Sequence, residues 1–165
     1  MKSIIAFFLF VLAFTSVDAG TVFLVRHAEK ADKPKEDPAL SEAGRERAKH
    51  LAAMLDSVPV VALYSSDYRR TRSTLAPLAQ AKTLDVVIYD ASDSEALAKM
   101  VMEKHSDDTV VIAGHSNTVP ELVEALGGTA TPLEDKDYDN LFVLTRDSDG
   151  NVSTLRLHYG ERTNK

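Results

Sequence analysis

Short apolar runs alternate with longer amphipathic runs along this chain, and this alternation restricts the fold most strongly. Runs rich in β-branched residues predict strands at 21–25, 58–63, 84–89 and 109–113. Apolar residues spaced three or four apart predict a helix capped by Ser41 and others near 68–80, 94–104 and 119–126. Such repeats form α/β domains, so we expect a three-layer sandwich with a mostly parallel central sheet.

The C-terminal part changes from this pattern. Two strands are predicted at 141–145 and 152–158, and the turn sequence Asp-Ser-Asp-Gly-Asn lies between them. We therefore expect the sheet to end in a C-terminal hairpin. Pro77 lies inside the second helical pattern and is expected to kink or shorten that helix. No repeat or linker divides residues 20–165, which we interpret as one domain.

Residues 1–19 have the pattern of a secretory signal peptide. Lys2 is followed by eleven apolar residues, 4–14, and then by the small-residue pattern Val17-Asp18-Ala19. Eleven apolar residues are short for a bilayer-spanning helix, although an uncleaved membrane anchor is the alternative. The sequence predicts an exported protein, periplasmic or extracellular, with no stable membrane association after cleavage.

The charge and the cysteine content exclude several kinds of function. The formal net charge is −6, which argues against nucleic acid as a partner, because nucleic-acid binding needs clustered Lys and Arg. Cysteine is absent, so disulfides and thiol chemistry do not contribute. His50, His105 and His158 have no partner at metal-ligand spacing. We expect neither a metal nor another cofactor.

Charged and polar residues follow the predicted strands where those strands end. In open α/β sheets the ligand site lies beyond the carboxyl ends of the strands. Imidazole can act as a nucleophile near neutral pH, and the planar fork of arginine suits phosphoryl oxygens. The residues at these ends therefore indicate phosphoryl transfer through an imidazole. They are Arg26 and His27, then Ser65, Ser66, Arg69 and Arg70, then Asp90, and finally His115, Ser116 and Asn117.

Three motifs in this order resemble one known family. They are VRHAEK around His27, SSDYRRTRST with Ser66, Arg70 and Thr74, and VVIAGHSNT with His115. Together with DPALSEAGRERA, they make the chain similar to the histidine phosphatase superfamily, also called the phosphoglycerate mutase-like fold, as a small phosphatase-type member. The resemblance extends over about residues 21–126.

The resemblance implies roles for individual residues. His27 would be the nucleophile that forms a phosphohistidine, which water then hydrolyses. Arg26 and Arg70 would hold the phosphoryl oxygens, and His115 would donate a hydrogen bond to the same group. Nearby cations should lower the pKa of His27 and keep it neutral. Asn117 begins a helix whose free N–H groups could also help to hold the anion.

The residue that protonates the leaving group remains open at this stage. Asp90, directly after the third strand, is the preferred donor, but a role in a turn or a helix cap explains it equally well. Glu29 is interpreted as mainly structural, with a proton-transfer role as the alternative. Leaving groups such as phosphohistidine need little protonation, so the chain could also work without a donor.

These observations predict a phosphoric monoester hydrolase, similar to the histidine acid phosphatases, that acts on phosphomonoesters or phosphohistidine. Its partner would be a phosphorylated small molecule or a phosphoprotein. One alternative is a phosphate-binding sensor without turnover. Another is a serine hydrolase using Ser116, because GHSNT approximates a nucleophile elbow, although Thr118 replaces its last glycine. The expected specificity loops, 28–40 and 129–140, carry no recognisable substrate code.

Overall fold

The computed structural model describes residues 20–163, so the predicted signal peptide lies outside the described residues. Within this range, no helix is long and apolar enough to cross a membrane. The helices and strands are, in chain order, β1 (Thr21–Arg26), α1 (Glu42–Met54), β2 (Val60–Ser66), α2 (Arg69–Lys82), β3 (Val86–Tyr89), α3 (Ser94–Lys104), β4 (Thr109–Gly114), α4 (Thr118–Ala125), β5 (Asn140–Arg146) and β6 (Val152–His158).

The strands form one sheet in the order β3-β2-β4-β1-β5-β6. Strands β3, β2, β4 and β1 pair with one another in parallel, whereas β5 is antiparallel to both β1 and β6. Helices α1 and α2 pack on one face of the sheet, and α3 and α4 pack on the other. The structure confirms the three-layer α/β sandwich, the mostly parallel sheet and the C-terminal hairpin.

The central strand β4 shows why a short apolar run forms the middle of this sheet. Val110 and Ile112 pack in the cluster under α3 and α4, whereas Val111 and Ala113 pack in the cluster under α1 and α2. All four side chains are buried. A parallel strand covered on both faces needs apolar residues at every position rather than at alternate ones.

The helix ends follow local side-chain chemistry in most places. The Ser41 hydroxyl accepts a hydrogen bond from the Gly44 amide, which confirms the predicted cap of α1. After α4, Gly127 takes a left-handed conformation with φ of 85°, as expected for a residue that stops a helix.

Pro77 does not end α2. The helix continues to Lys82, so the expectation that Pro77 shortens it is wrong. Leu75 and Leu78, on either side of Pro77, are fully buried in the core under α1 and α2. Packing of this apolar face supplies most of a helix's stability in a folded protein, and here it outweighs the hydrogen bond that proline removes.

Candidate active site

The carboxyl ends of β1, β4 and β2 lie side by side at one edge of the sheet, because these strands are parallel neighbours. A cleft of about 560 Å³ opens at this edge. All four expected core residues of the site line it, namely Arg26, His27, Arg70 and His115, and so does Asn117. The structure therefore brings together residues that are up to 91 positions apart in the chain.

The pairing of β1 with β4 places the two histidines next to each other. Arg26 lies opposite Gly114 in the register, and the His27 amide donates a 2.9 Å hydrogen bond to the Gly114 carbonyl. The imidazole ring centroids of His27 and His115 are 5.4 Å apart, and the planes are inclined by 65°. A small group bound in the cleft can therefore contact both rings.

The hydrogen bonds of His27 define which ring nitrogen can react. Its Nδ1 lies 2.8 Å from the Ala28 carbonyl oxygen. A carbonyl only accepts hydrogen bonds, so Nδ1 carries the proton and Nε2 keeps a free lone pair. The Ala28 amide in turn donates to Thr74 Oγ1 at 2.9 Å, and that hydroxyl donates to the Arg70 carbonyl at 2.8 Å. Thr74 thus joins α2 to the backbone that orients His27.

Burial keeps His27 in its neutral form. Its side chain is 4% exposed, and desolvation is the main cause that lowers its pKa to about 3. The charges of Arg26 and Arg70 lower the pKa further, while the hydrogen bond with Ala28 opposes the shift. The sequence-based expectation named the cations alone, but burial is the larger cause. A neutral imidazole with a free Nε2 is a competent nucleophile.

Both arginines line the cleft, and within the described residues neither has a hydrogen-bond acceptor for every side-chain donor. Arg26 is 5% exposed, and its Nη1 donates to the Glu134 carbonyl at 2.8 Å. The Nε atoms of both Arg26 and Arg70 are buried and have no hydrogen-bond partner within residues 20–163. Burial also lowers the pKa of Arg26. Buried cationic donors of this kind favour an anion that can accept several hydrogen bonds.

Each arginine stacks on a tyrosine that the sequence analysis missed. The Arg26 guanidinium lies 4.2 Å from the ring centroid of Tyr138, and that of Arg70 lies 4.3 Å from the centroid of Tyr68. Tyr68 also contacts the His115 ring edge-on, with centroids 4.9 Å apart. These contacts hold the guanidinium planes in place. Tyr68 stands directly before the second helix in SSDYRR, which was the only available signal for it.

His115 is held by β2 and α2. Its Nε2 lies 2.9 Å from Ser66 Oγ, and Ser66 Oγ donates to Thr71 Oγ1 at 3.0 Å. Arg70 Nη2 lies 3.4 Å from Nδ1 of His115. Arginine only donates, so Nδ1 accepts, and Nε2 carries the proton and donates to Ser66. Ser66, Arg70 and His115 therefore form one connected unit, which accounts for the spacing of the second motif.

Burial, Arg70 and Arg26 lower the pKa of His115 to about 4. The ring therefore has no proton on Nδ1 before an anion binds. A phosphoryl group in the cleft would raise this pKa, because a nearby negative charge favours the imidazolium form. His115 could then donate from Nδ1. The expected hydrogen bond from His115 to the phosphoryl group therefore requires that the ring first takes up a proton.

Neither expected proton donor lies in the cleft. The exposed Asp90 carboxylate accepts hydrogen bonds from the Ser92 amide at 2.9 Å and the Ser92 hydroxyl at 2.7 Å. These bonds lower the pKa of Asp90, whereas a proton donor needs a raised pKa to keep its proton. Glu29 instead binds Arg47 through contacts of 2.7 and 3.0 Å, and Arg47 also donates to the carbonyls of Tyr159 and Glu161. Glu29 thus ties the segment after β1 to α1, and Arg47 ties α1 to the C-terminal segment.

Arg69 and Arg72 lie outside the cleft lining. The Arg69 amide donates to Asp37 Oδ1 at 2.8 Å, and its side chain is exposed. Arg72 pairs with Asp67. Among these neighbouring arginines, Arg70 alone is a cleft residue in the described structure.

Ser116 lines the cleft, but the neighbouring groups do not activate it. The ring nitrogens of His115 face Ser66 and Arg70. Thr118 Oγ1 accepts a 2.9 Å hydrogen bond from the His115 amide and lies close to Gly114, so it forms the turn between β4 and α4. Within the described residues, no group of three or more His, Asp or Glu could hold a metal ion.

Comparisons with known proteins agree with this arrangement. Residues 22–92 match the model of the histidine phosphatase superfamily, branch 1. Phosphoserine phosphatase 1 from Hydrogenobacter thermophilus is 37% identical over 100 residues, which cover 53% of this chain and 47% of that enzyme. The matched part thus spans about half the length of this curated relative.

Solved structures of phosphatases share the fold. The protein histidine phosphatase SixA complexed with tungstate has a TM-score of 0.67 at 21% identity, with 84% of this chain and 96% of that chain covered. A mycobacterial glucosyl-3-phosphoglycerate phosphatase with inorganic phosphate has a TM-score of 0.66 at 15% identity, covering 87% and 98%. A putative phosphohistidine phosphatase SixA from Agrobacterium tumefaciens has a TM-score of 0.61 at 25% identity, covering 87% and 98%.

Proposed function

We propose that this chain is a member of the histidine phosphatase superfamily, whose family model matches residues 22–92. We propose further that it is a phosphatase that transfers a phosphoryl group to His27 and then to water. The observation that carries the proposal is the state of His27. It is buried and neutral, its Nε2 is free, and it lies beside two arginines whose buried Nε atoms lack protein acceptors. This combination of a nucleophile and unsatisfied cationic donors suits phosphoryl transfer.

The proposed reaction has two steps. His27 Nε2 attacks phosphorus as the bond from phosphorus to the leaving oxygen breaks, while Arg26 and Arg70 neutralise the non-bridging oxygens. Water then attacks the phosphohistidine, and phosphate leaves as His27 regains its lone pair. Positioning and electrostatic stabilisation supply most of the catalysis in such transfers.

We propose phosphomonoesters or phosphohistidine as substrates, carried by a small molecule or a protein. The names of the similar proteins include phosphoserine, protein histidine and glucosyl-3-phosphoglycerate phosphatases. Their common chemistry is a terminal phosphoryl group on an oxygen or an imidazole nitrogen. The chemistry of the cleft, two arginines and two histidines, suits a phosphoryl group rather than one particular leaving group.

Hydrolysis of two matched esters tests the proposal. The purified chain should hydrolyse p-nitrophenyl phosphate but not p-nitrophenyl acetate, because the cleft presents cations and an imidazole rather than an activated serine. Ser116→Ala should keep most of the phosphatase activity. Acetate hydrolysis that Ser116→Ala removes would make the chain a serine hydrolase. Binding of inorganic phosphate without turnover of the phosphate ester would make it a sensor.

We also propose that residues 1–19 direct export and that the working chain begins at Gly20. The support is the sequence pattern that precedes β1. The intact mass of the protein recovered from outside the cytoplasm should correspond to residues 20–165. A recovered mass that still includes residues 1–19, or retention of the protein with the membrane fraction, would contradict the proposal.

A further inference from the structure

Residues 134–138, here called the Arg26 loop, are fastened to the active-site arginine. The Glu134 carbonyl accepts the 2.8 Å hydrogen bond from Arg26 Nη1, and the Tyr138 ring stacks on the guanidinium. The Glu134 amide donates to the buried Asp137 carboxylate at 2.9 Å, which closes the loop on itself. The position of this loop is therefore coupled to that of Arg26.

The Arg26 loop presents one carboxyl group to the cleft. Asp135 lines the cleft together with His27 and Arg26, and no other cleft-lining residue in the described part of the chain carries a carboxyl group. The Asp135 charge also reaches Arg26. Burial lowers the pKa of Arg26, and the charges of Tyr138 and then Asp135 are the largest effects that raise it. Asp135 is exposed, so it can approach a bound molecule from the solvent side.

The other nearby carboxylates are already engaged elsewhere. Asp90 is bound by Ser92, and Glu29 is bound by Arg47. Asp37 accepts the Arg69 amide and lies 3.8 Å from Arg70 Nη1, but it does not line the cleft. An alkoxide is a poor leaving group, so a phosphatase for alkyl phosphates gains from an acid near the leaving oxygen.

We propose that Asp135 is the proton donor to the leaving group. As His27 Nε2 bonds to phosphorus and the bond to the leaving oxygen breaks, the Asp135 carboxyl proton moves to that oxygen, so an alcohol departs and a carboxylate remains. In the second step, the carboxylate takes a proton from the attacking water, and the starting state is restored. This assignment rests on the proposed phosphatase function.

The exposure of Asp135 also suits the second step. Its side chain lies at the solvent side of the cleft, so water can reach the carboxylate after the alcohol has left.

The leaving-group dependence of one variant tests the assignment. Asp135→Asn should lower kcat/KM for glycerol 2-phosphate by about 10²–10⁴-fold, the usual contribution of a general acid. The same variant should lower kcat/KM for p-nitrophenyl phosphate by less than about tenfold, because nitrophenolate leaves without a proton. Asp135→Glu should restore part of the activity on the alkyl ester. Retained aryl phosphate hydrolysis shows that the phosphatase itself is intact.

Several outcomes would overturn the assignment. Equal losses on both esters, or no loss on either, would limit Asp135 to an electrostatic or surface role. A loss on phosphoserine without a loss on glycerol 2-phosphate would make it a site for the substrate's ammonium group. If Asp90→Asn, rather than Asp135→Asn, lowers kcat/KM for glycerol 2-phosphate much more than for p-nitrophenyl phosphate, Asp90 is the donor. Glu124→Gln, which removes an exposed carboxylate of α4 outside the cleft, is the matched control for net charge.

Discussion

Replacement of His27 by alanine should lower p-nitrophenyl phosphate hydrolysis by at least about 10⁴-fold, because loss of a covalent nucleophile removes the reaction path itself. The substitution removes the cleft-lining imidazole whose Nδ1 is bound to the Ala28 carbonyl and whose Nε2 keeps a free lone pair. Steady-state rates of the purified variant, after its folding is checked by thermal denaturation, measure the effect.

Two further measurements identify His27 as the covalent site. Brief incubation with phosphorus-labelled substrate should label the wild-type protein through an acid-labile bond, and His27→Ala should carry no label. His50→Ala is the matched control, since His50 is an exposed histidine of α1 outside the cleft lining. Labelling of the His27→Ala protein would place the phosphoryl group on another residue.

The protonation state of His27 gives an independent check without substrate. Its pKa is lowered to about 3, so the ring should stay neutral, with the proton on Nδ1, as the pH falls through 6.5. Nitrogen NMR of labelled imidazoles, assigned with the His27→Ala variant, measures this directly. A ring that titrates near 6.5 would contradict the attribution of its neutrality to burial.

Much of the core site follows from the sequence because of one geometrical rule. Parallel strands bring their carboxyl ends to the same edge, so residues that follow separate apolar runs meet there. Arg26, His27 and His115 stand directly at such ends, and Arg70 lies in the first turn of the next helix. Their convergence therefore needs no knowledge of loop conformation.

The proton donor could not be derived in the same way. Asp90 also ends an apolar strand, but Ser92 is close enough to hold its carboxylate in a turn. Asp135 reaches the cleft only because the chain between α4 and β5 folds back onto Arg26 through Glu134 and Tyr138. Such long-range contacts leave no periodicity or spacing in the sequence, so the segment 129–140 gave no signal beyond its polar composition.

The effect of Arg70→Ala separates the three neighbouring arginines. We expect a loss of about 10²–10³-fold in kcat/KM, the usual result of removing one donor that stabilises transition-state charge. Arg70 lines the cleft and contacts His115, whereas Arg69 and Arg72 do neither within the described structure. Arg69→Ala and Arg72→Ala are therefore matched controls, with expected changes below about threefold.

The same variants distinguish charge from geometry. Arg70→Lys keeps the positive charge but loses the planar fork, so it should recover only a small part of the activity that Arg70→Ala loses. If Arg70→Lys is nearly as active as wild type, Arg70 contributes net charge alone. If Arg69→Ala or Arg72→Ala matches the loss of Arg70→Ala, the cleft geometry does not describe the working enzyme. Arg70 also stacks on Tyr68, so its loss could destabilise the fold. The thermal stability of the three alanine variants should therefore be measured, and activities should be compared well below the lowest melting temperature. Activity lost under these conditions reflects lost phosphoryl contacts.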